Sequence, residues 1–423
     1  MMTEQLFAEM LNLGDKWEVS KLEVLAEQSC IEVTIKDTAK LLEGMECPCC
    51  KRTDLIIKDH ANERLWDHLQ MWTYKTVLKC RLPRALCKSC KKTWTIRAPW
   101  EGVNKHSSKD FEALALTLMR HMPVSKVGKL MKVDDQKLWR ILRVYIDKER
   151  AKLDWSELTR IGVDELSIAK GHRYVSVFVD MENHSVLFAA DGKDAQVFEQ
   201  FTEELYLKDG HPHAITEVSM DMSPSYKSGV DSNMRNARKV FDYFHIAQNL
   251  NKAIGKVCSR ERRTKGDIRN LLKKPRLFQK NRDKLKEKDQ QTIEKLKELN
   301  TATAMAYQMR LSLQDIFKTK SEIKALLGLK AWISWVHNEA EKEMWKYFLN
   351  PLKKFAESLT KHFDGIIARW RHGTSNAVLE GINSVFSAVK RRARGFRSKE
   401  YLKMMLYFTK GNLTGIPNLI PSK

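Results

Sequence analysis

The sequence has no run of about 18 apolar residues, the length at which a helix begins to span a bilayer. A chain that crosses a membrane by helices is therefore excluded. Met1 to Gly14 lacks a cationic start followed by an apolar run, so no secretory leader is expected. Cysteine is scarce, with eight in 423 residues at uneven spacing. That excludes a disulfide-stapled scaffold and points to a reducing compartment, read here as the cytoplasm. Internal repeats and low-complexity tracts are absent, which excludes a solenoid. No activated serine or tyrosine motif is recognisable. Acid is short as well: 53 Asp and Glu stand against 75 Lys and Arg, a formal net charge of +22.

A basic surplus of that size calls for a polyanionic partner, and nucleic acid is the usual one. Hydrophobic residues make up 43% of the chain, enough for real cores. The length exceeds one ordinary core, so about two to four domains are expected.

Residues 1–105 read as a small mixed module. A short amphipathic start (Leu6, Phe7, Met10, Leu11) precedes strands around Trp17–Val24 and Ile31–Ile35. Trp72, Tyr74, Val77 and Thr93–Ile96 have the aromatic and β-branched character of hairpin strands. Residues 106–150 turn helical: one helix through Leu114, Leu116, Leu118 and Met119, a second from Val124 to Met131 after Pro123, and a third capped by Asp134 or Asp135. Residues 155–254 follow the order β-β-β-α-β-α-β-α, a mixed α/β pattern with a three-strand antiparallel start. Residues 255–370 are helical and intensely charged, with Lys284 to Leu299 as a long solvent-facing helix. An apolar face returns at Ile323–Leu327, Trp332–Trp335 and Trp345–Leu349. Residues 371–412 hold the last helices, and 413–423 read as a loose tail.

Three constellations carry chemistry. Cys47, Cys50, Cys87 and Cys90 form two C-x-x-C pairs, the spacing of a tetrahedral structural zinc site. Cys49 competes with Cys50, His60 or His68 could replace a thiolate, and Cys80 lies within range. In the third helix of 106–150, Leu138, Ile141, Leu142 and Tyr145 recur at i, i+3, i+4 and i+7 and face inward. Lys137, Arg140 and Arg143 then face outward, and Lys126, Lys129 and Lys132 precede them. That pattern fits a helix-turn-helix whose second helix enters the major groove of DNA.

The third constellation is acidic. Asp164 ends the first strand of the α/β segment and Asp221 ends the fourth. In a twisted mixed sheet these strands can be neighbours, which brings the two carboxylates to one edge. Glu380 lies on a later helix, sharing a face with Asn383, Ser387 and Lys390 or Arg391, while Ala377, Val378, Ile382, Val385 and Val389 lie toward the packing side. Carboxylate oxygens suit Mg²⁺, with Mn²⁺ as a substitute. Two such ions about 4 Å apart could serve the nucleophile and the departing oxygen of a phosphodiester. The basic run Lys390, Arg391, Arg392 and Arg394 suits phosphate contacts.

Taken together, these residues resemble transposases of the ISL-three group of bacterial insertion sequences. The specific pieces are Gly162-Val163-Asp164-Glu165, Asp221 through Tyr226, Asp242-Tyr243-Phe244-His245-Ile246, and Thr374 through Glu380-Gly381-Ile382-Asn383 to Lys390 and Phe396. The resemblance covers nearly the whole chain. It implies a multidomain α/β protein: a zinc-ribbon-like module, a helix-turn-helix, and a ribonuclease H-like catalytic core split by an all-helical insertion at 255–370. It implies a catalytic triad of Asp164, Asp221 and Glu380, with Asp242 and His245 in support. It further implies binding to the terminal inverted repeats of an element, magnesium-dependent DNA cleavage and strand transfer to target DNA, and a homodimer or larger assembly. The rival expectations are a DNA-binding regulator that keeps the fold without the chemistry, and a nuclease without strand transfer.

Overall fold

The computed structural model describes residues 2–169, 173–372, 377–396 and 398–419. By its internal contacts the chain divides into two compact units, Met1–Leu153 with Phe386–Lys423, and Asp154–Val385.

The first unit opens with helix α1 (Met2–Met10) and strands β1 (Trp17–Leu25), β2 (Cys30–Asp37), β3 (Leu55–Met71), β4 (Tyr74–Cys87) and β5 (Thr93–Thr95). They form one sheet in the order β1-β2-β4-β3, with β5 added to the far end of β4. Strict alternation on β2 turns Ile31, Val33 and Ile35 inward. They meet Trp66, Leu78 and Leu82, and the Trp17 and Trp66 rings both stand edge-on to Trp100 at 5.3 and 5.7 Å. The hairpin differs from expectation in one respect. Its strands run on either side of Trp72, which sits at the turn with a φ of 51°. Charged residues along Leu55–Met71 hide this strand from a hydrophobicity reading.

Three helices follow: α2 (Lys109–His121), α3 (Val124–Leu130) and α4 (Asp135–Arg150). Ser108 caps α2 by accepting from the Phe111 N–H, and Asp134 caps α4 by accepting from the Gln136 N–H. Leu138, Ile141 and Leu142 are buried as their spacing requires. Tyr145 is half-buried and donates its hydroxyl to the buried Glu112 carboxylate at 2.9 Å.

The second unit is built on strands β6 (Arg160–Ala169), β7 (Arg173–Asp180), β8 (Ser185–Asp191), β9 (Glu217–Met220) and β10 (Arg238–Phe241), in the order β10-β9-β6-β7-β8. β6, β7 and β8 pair antiparallel in succession, whereas β9 pairs in parallel with β6 and β10 in parallel with β9. Helix α5 (Gln196–Tyr206) crosses back with Val197, Phe198, Phe201 and Leu205 buried, the Phe201 ring stacked on Phe178 at 4.3 Å. Helix α6 (Pro224–Asn233) follows β9, and α7 (Tyr243–Thr264) follows β10, ten residues past its expected end at Ile254.

A helical body completes this unit: α8 (Glu287–Glu298), α9 (Ala302–Lys318), α10 (Glu322–Glu341), α11 (Glu343–Lys361) and α12 (Phe363–His372). The helix expected over Lys284 to Leu299 is shorter and tucks Ile293 and Leu296 inward. Ile323 and Leu327, expected on an apolar packing face, are exposed; α10 packs through Ala325, Leu329, Trp332, Val336 and Ala340.

Helix α13 (Ala377–Ala393) begins in the second unit and ends in the first, and α14 (Lys399–Lys410) lies in the first. Leu379, Ile382, Phe386 and Val389 are its buried residues, with Val378 and Val385 only half-buried. The segment expected as a loose tail is held as far as Leu419. Leu413 and Ile416 are buried, the Gly415 N–H donates to Glu149, and the Leu419 N–H donates to Thr117 Oγ1.

Candidate metal centres and acidic site

Two sites emerge, one in each unit. In the first, the loop before β3 and the end of β4 each fold into a tight knuckle. Lys51 N–H donates to Cys47 O, and Cys47 N–H to Arg52 O; Lys91 N–H donates to Cys87 O, and Cys87 N–H to Lys92 O. Lys51 and Lys91 both take left-handed backbone, with φ of 60° and 59°. The β3–β4 pairing brings the two knuckles together, with Leu55 opposite Cys87.

All four sulfurs of Cys47, Cys50, Cys87 and Cys90 then lie within 4.8 Å of one another, with Cys47–Cys90 and Cys50–Cys87 at 3.6 Å. Four sulfurs on a tetrahedron about 2.3 Å from a zinc ion would be roughly 3.8 Å apart, so the donor set fits zinc. The Cys50 backbone N–H brings the Cys47 thiol down to about 6 against burial, and the Cys49 N–H adds to it. The alternatives fall away. Cys49 is exposed, His60 pairs with Asp37 at 2.8 Å, His68 bonds Ser108 Oγ at 2.7 Å, and Cys80 is buried in the apolar core of the sheet.

The second site lies where β6 leaves its pairing with β9; Asp164, expected to end its strand, stands inside it, because β6 runs on to Ala169 against β7. The parallel pairing of β6 with β9 sets Ile161 opposite Val218 and Gly162 opposite Ser219. Two residues further along, each strand reaches an aspartate: Asp164 on β6, and Asp221 one residue past the end of β9. Both are half-buried. Burial raises the Asp221 carboxyl above its ordinary value and the Asp164 charge adds to it, while the Ser223 N–H at 2.8 Å and His245 oppose. Glu165 is raised in the same way by burial, and then by Asp221 and Asp164, with Lys193 at 3.9 Å opposing. The two aspartates are thus within electrostatic reach of each other and of Glu165.

His245 faces them from the first turn of α7. Its Nε2 lies 3.7 Å from Asp164 Oδ1 and 3.9 Å from Asp242 Oδ2. Asp164 raises the imidazole above its ordinary value against burial, with Asp242 and Asp221 adding to it. Asp242 is buried and caps α7 through the Phe244 N–H at 2.7 Å. Behind the site, Tyr226 is fully buried and bonds Ser176 Oγ at 2.7 Å, while Ser176 donates to Gly192 O at 2.9 Å. This chain ties α6 to the sheet.

Helix α13 reaches β6 at two points. The Leu379 side chain lies where a Cβ on Gly162 would stand, 2.9 Å from it. The Asn383 amide donates to Asp164 Oδ2. Glu380 is exposed and sits one helical turn before Asn383. Its carboxylate does not join Asp164 and Asp221 in a tight ligand cluster; among the described residues, only the four cysteines gather that closely. Asn383 was visible in the sequence as a member of the Glu380 face, but nothing there marked it as the residue that touches Asp164.

The predicted basic residues separate into two kinds. Lys126, Lys129, Arg140, Arg143, Arg391 and Arg394 are exposed. Lys137 does not face outward as expected, because its ammonium bonds Asp67 and the His106 carbonyl. Lys132 is exposed along its stem and donates to Thr73 O at 2.7 Å. Arg392 is half-buried and donates to Arg120 O at 2.7 Å, and Lys390 is half-buried.

Known transposases resemble this chain over most of its length. The transposase of insertion sequence element IS1001 from Bordetella parapertussis is 26% identical over 381 residues, 88% of this chain and 89% of that protein. The transposase of element IS1557 from Mycobacterium tuberculosis, in strains CDC 1551 / Oshkosh and H37Rv, is 25% identical over 400 residues, 86% of this chain and 85% of that protein. Residues 161–406, which contain Asp164, Asp221 and Glu380, match the ISL3 family of DDE transposases, and the chain belongs to that family.

Proposed function

We propose that this chain is the transposase of an insertion sequence, and that it cleaves DNA at the element's terminal inverted repeats and joins the freed ends to target DNA. The observation that carries the reading is the pair Asp164 and Asp221. Asp164 lies within β6 just past the stretch paired in parallel with β9, Asp221 lies just past the end of β9, the two are within electrostatic reach, and the helix of Glu380 touches β6 through Leu379 and Asn383. The sheet order, with three antiparallel strands followed by two parallel ones on the other side of β6, supports a ribonuclease H-like core.

In this reading Asp164, Asp221 and Glu380 hold two Mg²⁺ ions, for which Mn²⁺ can substitute. The donors are carboxylate oxygens, which fit hard cations. When bound, such ions supply charge for the attacking and departing oxygens of a phosphodiester. The chain's own groups do the rest. The Ser223 N–H fixes one Asp221 oxygen, and His245 with Asn383 orients Asp164 from either side. Water is the nucleophile in the first step, which breaks the phosphodiester and leaves a 3′-hydroxyl. That hydroxyl attacks a target phosphodiester in the second.

The three helices α2–α4 serve as a helix-turn-helix, with Arg140 and Arg143 on the outer face of α4 as groove readers and Lys126, Lys129 and Lys132 on phosphates. Arg391 and Arg394 add exposed cations, with Lys390 and Arg392 beside them. The four cysteines hold a structural zinc ion. Both ends of an element must be held together, which calls for a homodimer or larger assembly working on DNA in the bacterial cytoplasm.

The test is a labelled DNA carrying the element's end, incubated with Mg²⁺ and either the wild-type chain or Asp221→Asn. Cleaved and joined products are expected with the wild type, and a loss of at least a hundredfold with the variant, the scale seen when a group central to charge stabilisation is removed. Specific binding without cleavage by the wild type would favour a regulator. Cleavage kept in the variant would place the active site elsewhere.

A further inference from the structure

Trp72 stands at the tip of the β3–β4 hairpin with 87% of its surface exposed. Its φ of 51° falls in the left-handed region, which glycine or asparagine enters at less cost. An indole is among the side chains that gain most from burial. Local folding therefore gives no reason for tryptophan at this turn, and a partner that covers the ring does.

The tip is not a free-swinging loop. Lys132 Nζ donates to Thr73 O at 2.7 Å, and Gln70 Nε2 donates to Leu130 O at 3.0 Å. Both bonds join the hairpin tip to the turn between α3 and α4. Leu130, the last residue of α3, is a second exposed apolar side chain, and Lys126 and Lys129 of the same helix are exposed cations. The patch thus pairs apolar surface with a local excess of positive charge, which is complementary to a nucleic-acid duplex: cations for phosphates, a flat ring for bases and sugars.

We infer that the hairpin tip and the α3–α4 turn form one DNA-contact surface, in which Trp72 makes the apolar contact with the bases and sugars while the lysines hold phosphates. This deepens the DNA-binding reading above and rests on it. The hairpin acts as an extra finger whose position is fixed by the helix pair it touches.

The test measures the affinity of the full chain for a fluorescein-labelled duplex carrying the element's end, over a range of salt. Trp72→Ala is expected to weaken binding about tenfold, the scale of truncating a tryptophan that a partner covers, and to leave the salt dependence unchanged. Trp72→Phe should recover most of the loss. Lys129→Ala should instead lower the slope of log affinity against log salt by about 1. An exposed turn residue can be replaced without loss of folding, and an unchanged melting temperature for Trp72→Ala checks this. Wild-type affinity in Trp72→Ala would overturn the inference while leaving the DNA-binding reading intact. So would a variant that dissociates from dimer to monomer with its DNA affinity unchanged, since the ring would then cover a second copy of the chain. Failure of the wild type to bind any duplex would overturn the DNA-binding reading itself.

Discussion

Gly162 on β6 faces Leu379 of α13. A methyl group there would lie 2.7 Å from Met181 Sδ and 2.9 Å from Leu379 Cδ2. Both are ends of flexible side chains, so alanine asks them to shift and valine asks for more. The consequence concerns chemistry as much as packing, because Leu379 and Asn383 are the two points at which the helix of Glu380 meets β6. Gly162→Val should cost about 1–3 kcal/mol of stability by overpacking. It should also reduce cleavage beyond what the lost folded fraction explains. Urea denaturation together with a cleavage assay on the folded protein separates the two. Cleavage that tracks the folded fraction alone would mean that the α13 contact has no part in the site.

Among elements, the two cysteine knuckles show most directly how local geometry makes a site. Each contributes a C-x-x-C turn closed by backbone bonds and a lysine at positive φ. Neither is a site alone; the β3–β4 hairpin must pair before the sulfurs converge. Zinc binding and folding of this module should therefore be coupled. Cys87→Ser is expected to lose the metal and to lower the melting temperature markedly, whereas Cys49→Ser should keep about one zinc per chain and the wild-type melt. Metal content by plasma emission and thermal melts of the two variants provide the check. Equal effects from both substitutions would mean that the four-sulfur set is drawn wrongly.

For the whole molecule, the decisive feature is that the first unit is discontinuous in sequence. Its N-terminal part is completed by residues from beyond position 385. Tyr401 stacks on Trp139 at 4.2 Å, Arg120 donates to Phe408 O at 3.1 Å with its guanidinium over the ring, and Leu402, Met405, Leu406 and Phe408 are buried. A fragment of residues 1–153 should therefore unfold more easily than the same residues in the full chain. Hydrogen exchange on α2 and α4 in both would show it, as faster exchange in the fragment. Equal protection would mean that α14 adds nothing to that core.

The sequence by itself determined the spacing of the four cysteines, the strand and helix order of residues 155–254, the inward stripe of α4 and the place of Asp221 just past its strand. These are local: periodicity, caps and turn chemistry act over a few residues and leave a direct trace in the chain. Tertiary structure decided what depends on distant partners. It chose Cys50 over Cys49, drew Lys137 inward to Asp67, left Ile323 and Leu327 in solvent, and put Asn383 on Asp164, 219 positions away. It also packed residues 413–419 against the first unit, where composition alone suggests a free end. Each of these choices is a contest between side chains for one neighbour, and only the folded chain brings the competitors together.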